Sequence, residues 1–301
     1  MATPDPTTPK SLGEKLQSLP RGILYLILVI CTSVPLFFNI PVPNEPTQAA
    51  KDLFNALNSL PAGSTVLVGS DWTVSTRGET GGEFDALIRI LMRKGIKFAV
   101  YTTADPQAPE VARDEIVMLS EDEKKHGGKG VERWNDWVSL GFFPNAEATA
   151  NLIAADPTKA FGSKKDVKPD GTLGSALSSP VLKDIKTLTD FKMLILVTGT
   201  QTSTVTIERL SGKGLPLGMM VTGVMGPETA VYYDSRQLNG LCAGLKGVYD
   251  METLMDGTFK GQVNFGRGKL YYPTLHFALA LLIVAVIVGN VGMMISRKGK
   301  A

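Results

Sequence analysis

The residues with most chemistry to offer sit in short polar stretches, each following an apolar run. Asp71, Thr73 and Ser75 alternate in Gly69-Ser-Asp-Trp-Thr-Val-Ser75. A carboxylate with two hydroxyls is a hard oxygen donor set of the kind that suits Mg²⁺. Thr103 and Asp105 follow a second apolar run, in Tyr101-Thr-Thr-Ala-Asp105. Thr200 and Thr202 follow a third, in Thr198-Gly-Thr-Gln-Thr202, and Thr222-Gly-Val-Met-Gly-Pro-Glu228 follows a fourth. In open α/β sheets ligands bind beyond the carboxyl ends of the strands. Asp71, Thr73, Ser75, Thr103, Asp105, Thr200 and Thr202 are therefore the candidate ligand-binding residues, and the first three are also the candidate metal ligands.

Asp71-x-Thr73-x-Ser75 resembles the Asp-x-Ser-x-Ser of the von Willebrand A type metal-ion adhesion site, and it follows the first strand as that motif does. The later Asp that the resemblance requires is missing, since Gly199 occupies its place. An Asp and two hydroxyls capping a turn is the preferred reading. In a phosphatase of the haloacid dehalogenase type Asp71 would be the nucleophile. Thr73 stands where that family has its second carboxylate, and no matching Lys or acidic pair follows. Gly78-Glu-Thr-Gly-Gly82 opens a helix and could take an anion there, with a flexible turn as the default. No Gly-x-Gly-x-x-Gly or Walker loop follows any strand, so nucleotide binding has no support. The only two histidines, His126 and His276, lie in unrelated regions, which argues against His-based metal sites and a Ser-His-Asp triad. No organic cofactor is expected; Mg²⁺ is the one ion the residues suggest.

These stretches need a scaffold. Helical periodicity runs over Gln48–Leu60, Glu83–Lys94 and Ala108–Lys124, and helical pieces are expected near Val131–Leu140 and Ala146–Ala155. Ser179-Pro180, an N-cap followed by a first-turn proline, opens another helix, and residues 202–210 form one more. Strands are expected at Thr65–Gly69, Lys97–Tyr101, Met193–Val197 and Leu217–Thr222. Gly162–Leu177 reads as an exposed excursion. Continuous apolar strands alternating with amphipathic helices predict βαβ units and a mainly parallel sheet in a Rossmann-like or flavodoxin-like three-layer α/β sandwich.

Overall composition is unremarkable, with 44% apolar and 20% charged residues, but the distribution is not. Residues 22–38 and 273–296 contain no charged side chain. A span needs about 20 apolar residues, which predicts transmembrane helices at 22–40 and 273–296. The first has a rival reading as a cleavable signal peptide, with Lys10, Lys15 and Arg21 ahead of it and Thr47-Gln48-Ala49 as a cleavage site; a retained anchor is the expectation. Pro35 should bend or end that helix. Ser11-Leu-Gly-Glu14 looks like a capping box for a short interfacial helix over Ser11–Leu19. Arg21 before the first span and Arg297, Lys298 and Lys300 after the second place both termini in the cytoplasm, although Lys260, Arg267 and Lys269 weaken that assignment. The expected order is a cytoplasmic tail (1–21), the first span, an extracytoplasmic α/β domain (45–270), the second span and a basic tail (297–301), in the cytoplasmic (inner) membrane.

Cys31 lies in an apolar segment and Cys242 far from it, so no disulfide is expected. With a net charge of +2, nothing suggests a nucleic-acid partner. Ala285, Gly289 and Gly292 give the second span a small-residue stripe that would permit close helix contact. Gly240, Gly244 and Gly247 recur at helical spacing, which predicts a glycine face on a helix, used for internal packing or for a subunit contact.

Tyr233, Ser235, Gln237, Leu238, Gly240, Leu241, Gly244, Leu245 and Gly247 resemble a Tyr…Ser-x-Gln-Leu-x-Gly-Leu-x-x-Gly-Leu-x-Gly stretch of membrane-anchored bacterial proteins with an α/β region and a terminal membrane helix. Arg236 departs from the small residue expected there. The resemblance covers about a quarter of the chain and implies no activity. The function expected is that of a non-enzymatic structural or assembly protein, held in the bilayer and self-associating or joined to a membrane protein partner. The alternatives are a ligand- or divalent-metal-binding module at Asp71, Thr73 and Ser75, and, third, a membrane-anchored hydrolase lacking a recognisable nucleophile–base pair.

Overall fold

The computed structural model describes residues 12–18, 20–38, 40, 42–43, 45–262 and 266–298. They form two compact units, one of residues 44–269 and one of residues 1–43 with 270–301.

In chain order the first unit contains α3 (Gln48–Ser59), β1 (Thr65–Asp71), α4 (Thr80–Lys94), β2 (Lys97–Thr102), α5 (Ala108–Lys125), β3 (Trp137–Phe142), α6 (Ala146–Ala155) and α7 (Pro157–Phe161). Then come β4 (Lys165–Val167), β5 (Leu173–Ser175), β6 (Leu194–Thr198), α8 (Thr202–Leu210), β7 (Leu217–Val221), α9 (Gly226–Asp234), β8 (Gly240–Ala243) and α10 (Gly244–Thr258). Ahead of these are α1 (Leu12–Gln17) and α2 (Arg21–Phe37), and α11 (Arg267–Lys298) follows them.

Six strands form one sheet in the order β3-β2-β1-β6-β7-β8, every neighbouring pair parallel. The fold is α/β, consistent with a Rossmann-like sandwich. The chain starts at β1 in the middle, works outward to β3, returns to β6 beside β1 and works outward the other way. The point of reversal lies between β1 and β6, where Asp71 is in register with Thr198. The strands are continuous apolar runs because both faces are covered. Leu53, Leu57, Phe84, Ile88, Ile116 and Met251 from α3, α4, α5 and α10 close one face. Ile153, Phe161, Ile207 and Leu210 from α6, α7 and α8 close the other.

The structure corrects four sequence expectations. The helical pieces near Val131–Leu140 are instead a turn leading into β3, whose register with β2 shifts at Val100/Tyr101. Ser179-Pro180 starts only hydrogen-bonded turns: Ser179 Oγ accepts the Leu182 N–H as a cap would, but no α-helix follows. The segment 162–177 holds the antiparallel β4–β5 pair. Its buried Asp166 accepts the Ser139 N–H at 2.8 Å and two Arg133 N–H groups, while Lys164 Nζ donates to the Phe142 carbonyl at 2.8 Å. Side chains thus satisfy the open edge of β3, which would otherwise present a template for pairing with another chain.

The fourth correction concerns the glycines. Gly240 belongs to β8, Gly244 begins α10, and Gly247 lies in its first turn, so the three do not share one helix face. A Cβ on Gly240 would collide with the Leu53 backbone of α3, and one on Gly247 would stand 2.7 Å from Cys242 Sγ. Gly244 has φ +59°, where only glycine is at ease. Each is used inside the fold. Both cysteines are free.

In the second unit, among the described residues, one helix is long and apolar enough to cross a membrane, Arg267–Arg297. Helix α2 has 17 residues and Pro35 inside it, two residues before its end. At 1.5 Å per residue it is about 25 Å long, at the short end of what crosses a ~30 Å hydrocarbon layer. Helix α1 lies so close to α11 that a Cβ on Gly13 would reach 2.7 Å from the Gly292 carbonyl oxygen. Gly292 is therefore buried by the chain itself, whereas Gly289 has nothing within 4 Å of an added Cβ and Ala285 is exposed. Ser11 and the Glu14 side chain, which would form the expected capping box, and Leu19, the expected end of that helix, lie outside the described residues. Thr47, the first residue of the stretch read as a cleavage site, caps α3: its Oγ1 accepts the Ala50 N–H, and its own N–H donates to Asp250 at 3.0 Å.

Candidate functional site

The carboxyl ends of β1, β6 and β7 lie side by side and frame an open cleft of about 390 Å³ at the strand-order reversal. Its walls include Ser75, Thr76, Glu79, Gly199, Thr222 and Val224. The loops meet closely here, since a Cβ on Gly199 would come 3.1 Å from Thr76 Cγ2 and 3.2 Å from Thr222 Cγ2. Gly199, which displaces the acidic residue of the adhesion-site pattern, thus occupies a position with little room for a larger side chain.

Asp71 ends β1 and is buried. Its Oδ1 accepts the Thr102 hydroxyl at 2.8 Å and the N–H groups of Thr103 and Ala104 at 2.6 and 3.2 Å, and its Oδ2 accepts the Thr103 hydroxyl at 2.8 Å. Four donors from the β2 loop consume the carboxylate, so it staples two strand ends together. Nearby, burial and then the Asp71 charge push the Tyr101 phenol up. Thr73 and Ser75 hydrogen-bond each other through their hydroxyls at 2.9 Å. Thr73 and Thr76 form a reciprocal cap on the short turn Val74–Thr76. Among the described residues no three His, Cys, Asp or Glu side chains converge as a metal cluster would require.

Thr103 joins Asp71, but Asp105 does not: its Oδ1 accepts the Gln107 N–H at 2.7 Å, capping the turn before α5. Thr200 and Thr202 form a closed triangle of hydroxyls with Thr198, each pair 3.0 Å apart. The candidate residues therefore divide into four local motifs at the carboxyl ends of the strands.

Spacing and residue type did not single out Glu79. It precedes α4 within the glycine-rich stretch, and its Oε2 accepts the Gly223 N–H from the β7 loop at 2.6 Å. An anion expected at the start of α4 would meet this carboxylate. One helical turn on, Glu83 is fully buried and its Oε1 accepts the Gly244 N–H at 3.1 Å, while Oε2 has no partner. Burial, and after it the Glu79 charge, push the Glu83 carboxyl well above its usual range. The signal for both was present as Gly78-Glu-Thr-Gly-Gly-Glu83, an acidic version of a phosphate loop.

A second buried polar cluster was not anticipated. Glu252 on α10 accepts the backbone N–H groups of Gly268 and Lys269, at 3.0 and 2.8 Å, and so caps the first turn of α11 from another helix. In that turn the Arg267 guanidinium pairs with Asp85 at 3.2 Å and Glu115 at 2.9 Å and donates to the Arg77 carbonyl at 3.0 Å. Arg77 also pairs with Glu115 at 2.7 Å. Burial, followed by the neighbouring Glu115, raises the Asp85 carboxyl, and burial raises Glu252 to about 7 against the lowering effect of its two N–H donors. His126 is on the exposed end of α5, bonded to the Asp122 carbonyl, and His276 is in α11. Neither belongs to either cluster.

Compared with known proteins, the chain matches no family model and no curated protein sequence.

Proposed function

We propose that this chain is a non-catalytic structural or assembly protein, a membrane-anchored α/β module that self-associates or joins a membrane protein partner. One observation carries the reading: the first turn of α11 is built into the α/β unit by Glu252 and Arg267. Residues 267–269, which open α11, belong to the α/β unit itself. The strand-end residues favour the same side. Asp71, the best candidate nucleophile or ligand, is committed to four donors, and no nucleophile–base pair of the kind catalysis needs adjoins it.

In this proposal residues 22–40 and 273–296 are both spans, the domain of residues 45–270 faces away from the cytoplasm, and tails 1–21 and 297–301 are cytoplasmic. Ala285 and Gly289, open on α11, are the contact positions for a second helix. Two-sided cysteine labelling of intact cells tests the topology. A Lys159→Cys reporter, on a side chain 78% exposed, should react with an impermeant maleimide from outside, and an Ala301→Cys reporter only after permeabilisation. The reverse pattern would remove the assigned orientation, and loss of the protein from the membrane pellet would remove the anchor.

A further inference from the structure

We propose that the cleft between the β1, β6 and β7 loops binds a neutral saccharide unit, a role separate from anchoring and testable without it. Its place is the strand-order reversal of an open parallel sheet, where ligands of such folds bind. Its volume of about 390 Å³ is that of a small-ligand site.

The lining decides the ligand class. No cationic side chain lines the cleft among the described residues. The nearby Arg77 is engaged with the buried Glu115. The start of α4, where a phosphate would otherwise be held, carries the Glu79 carboxylate fixed on the Gly223 N–H. A phosphorylated or carboxylated ligand would therefore face a negative charge with no counter-charge. What the walls do offer is the Glu79 carboxylate and the Thr222 hydroxyl, which makes no hydrogen bond among the described residues, beside the Ser75 and Thr76 hydroxyls already bonded to Thr73. Beside these groups the wall carries Val224, 89% exposed, and Met225. Acceptors and hydroxyls next to bare apolar side chains complement a sugar ring, which has hydroxyls at its edge and a C–H face. An amine would use Glu79 but leave the apolar part of the wall without a role.

The test is saturation-transfer NMR on the full-length protein in a non-glycosidic detergent, with glucose, galactose, N-acetylglucosamine, their β-linked disaccharides and glucose 6-phosphate as probes. A saturable signal is expected from at least one neutral sugar, exceeding that of glucose 6-phosphate. Thr222→Val and Val224→Asn should each weaken it about tenfold while the circular-dichroism unfolding midpoint stays that of the parent. The absence of a saturable signal from every neutral sugar, equal binding by parent and both variants, or preference for the phosphate would overturn the proposal.

Discussion

Arg267 lies between Asp85 and Glu115, 3.2 Å from one carboxylate and 2.9 Å from the other, at the point where α11 leaves the α/β domain. Both acids are largely or wholly withdrawn from water, with side-chain exposures of 13% and 3%. A guanidinium in such a place stabilises mainly by preventing uncompensated buried charge. Arg267→Ala should therefore lower unfolding stability by about 3 kcal/mol, read by denaturant unfolding of the whole chain in micelles. It should also speed hydrogen exchange at Gly268 and Lys269. A loss below about 1 kcal/mol, the range of surface pairs, would mean that the arginine does not lock the turn.

Glu252 gives the domain a pH dependence with a definite sign. Its carboxyl is raised to about 7 from 4.5, so between those values the folded protein holds a proton that the unfolded chain has released. Stability must then fall as pH rises from 4.5 to 7 and level off above. At 1.36 kcal/mol per unit the contribution is about 3 kcal/mol. Glu83 and Asp85, raised by burial, act in the same direction. Unfolding free energies at pH 5 and pH 7.5 should differ by about 2 kcal/mol less in Glu252→Gln than in the parent. Equal pH dependence in the two would contradict the assignment.

Asp71 is a staple in this structure, which separates two readings that share it. Asp71→Ala leaves buried donors of the β2 loop unpaired and should cost about 3 kcal/mol. Addition of Mg²⁺ or of EDTA should leave the unfolding midpoint of the parent where it was. A Mg²⁺-dependent rise that vanishes in the variant would restore the metal site at Asp71, Thr73 and Ser75.

Arg236 occupies left-handed backbone at φ +62°, a conformation that costs a non-glycine residue about 1 kcal/mol. Its side chain is exposed. Arg236→Gly should stabilise the fold by about 0.5 kcal/mol or less, the gain at the turn less the added freedom of the unfolded chain. Destabilisation in the same unfolding assay would show that the guanidinium has an unrecognised role.

Legibility in the sequence followed burial and length. β1, β2, β6 and β7 are four- to six-residue apolar runs between helices and were readable from residue type alone. β3 was not, because Trp137-Val-Ser-Leu-Gly-Phe142 is an edge strand that includes a polar residue and a glycine. β8 is four residues long and begins with Gly240, whose absent side chain makes room for Leu53; that glycine, with Gly244 and Gly247, imitated a helical period by coincidence of a strand end, a left-handed turn and a helix start. At the strand ends residue type located Asp71 and the threonines but not their partners. Whether a carboxylate faces a ligand or four donors depends on the neighbouring loop, which lies about thirty residues away in the chain. Glu252, Arg267 and Asp85 left no local pattern, since each is an ordinary helix charge until the fold buries it.

Self-association is the central claim, and native mass spectrometry of the full-length protein released from detergent micelles tests it most directly. The account predicts a complex at twice the chain mass or a higher whole multiple, reduced to single chains when Gly289 is replaced by a bulky residue (Gly289→Ile). A single-chain mass at every protein concentration would contradict it.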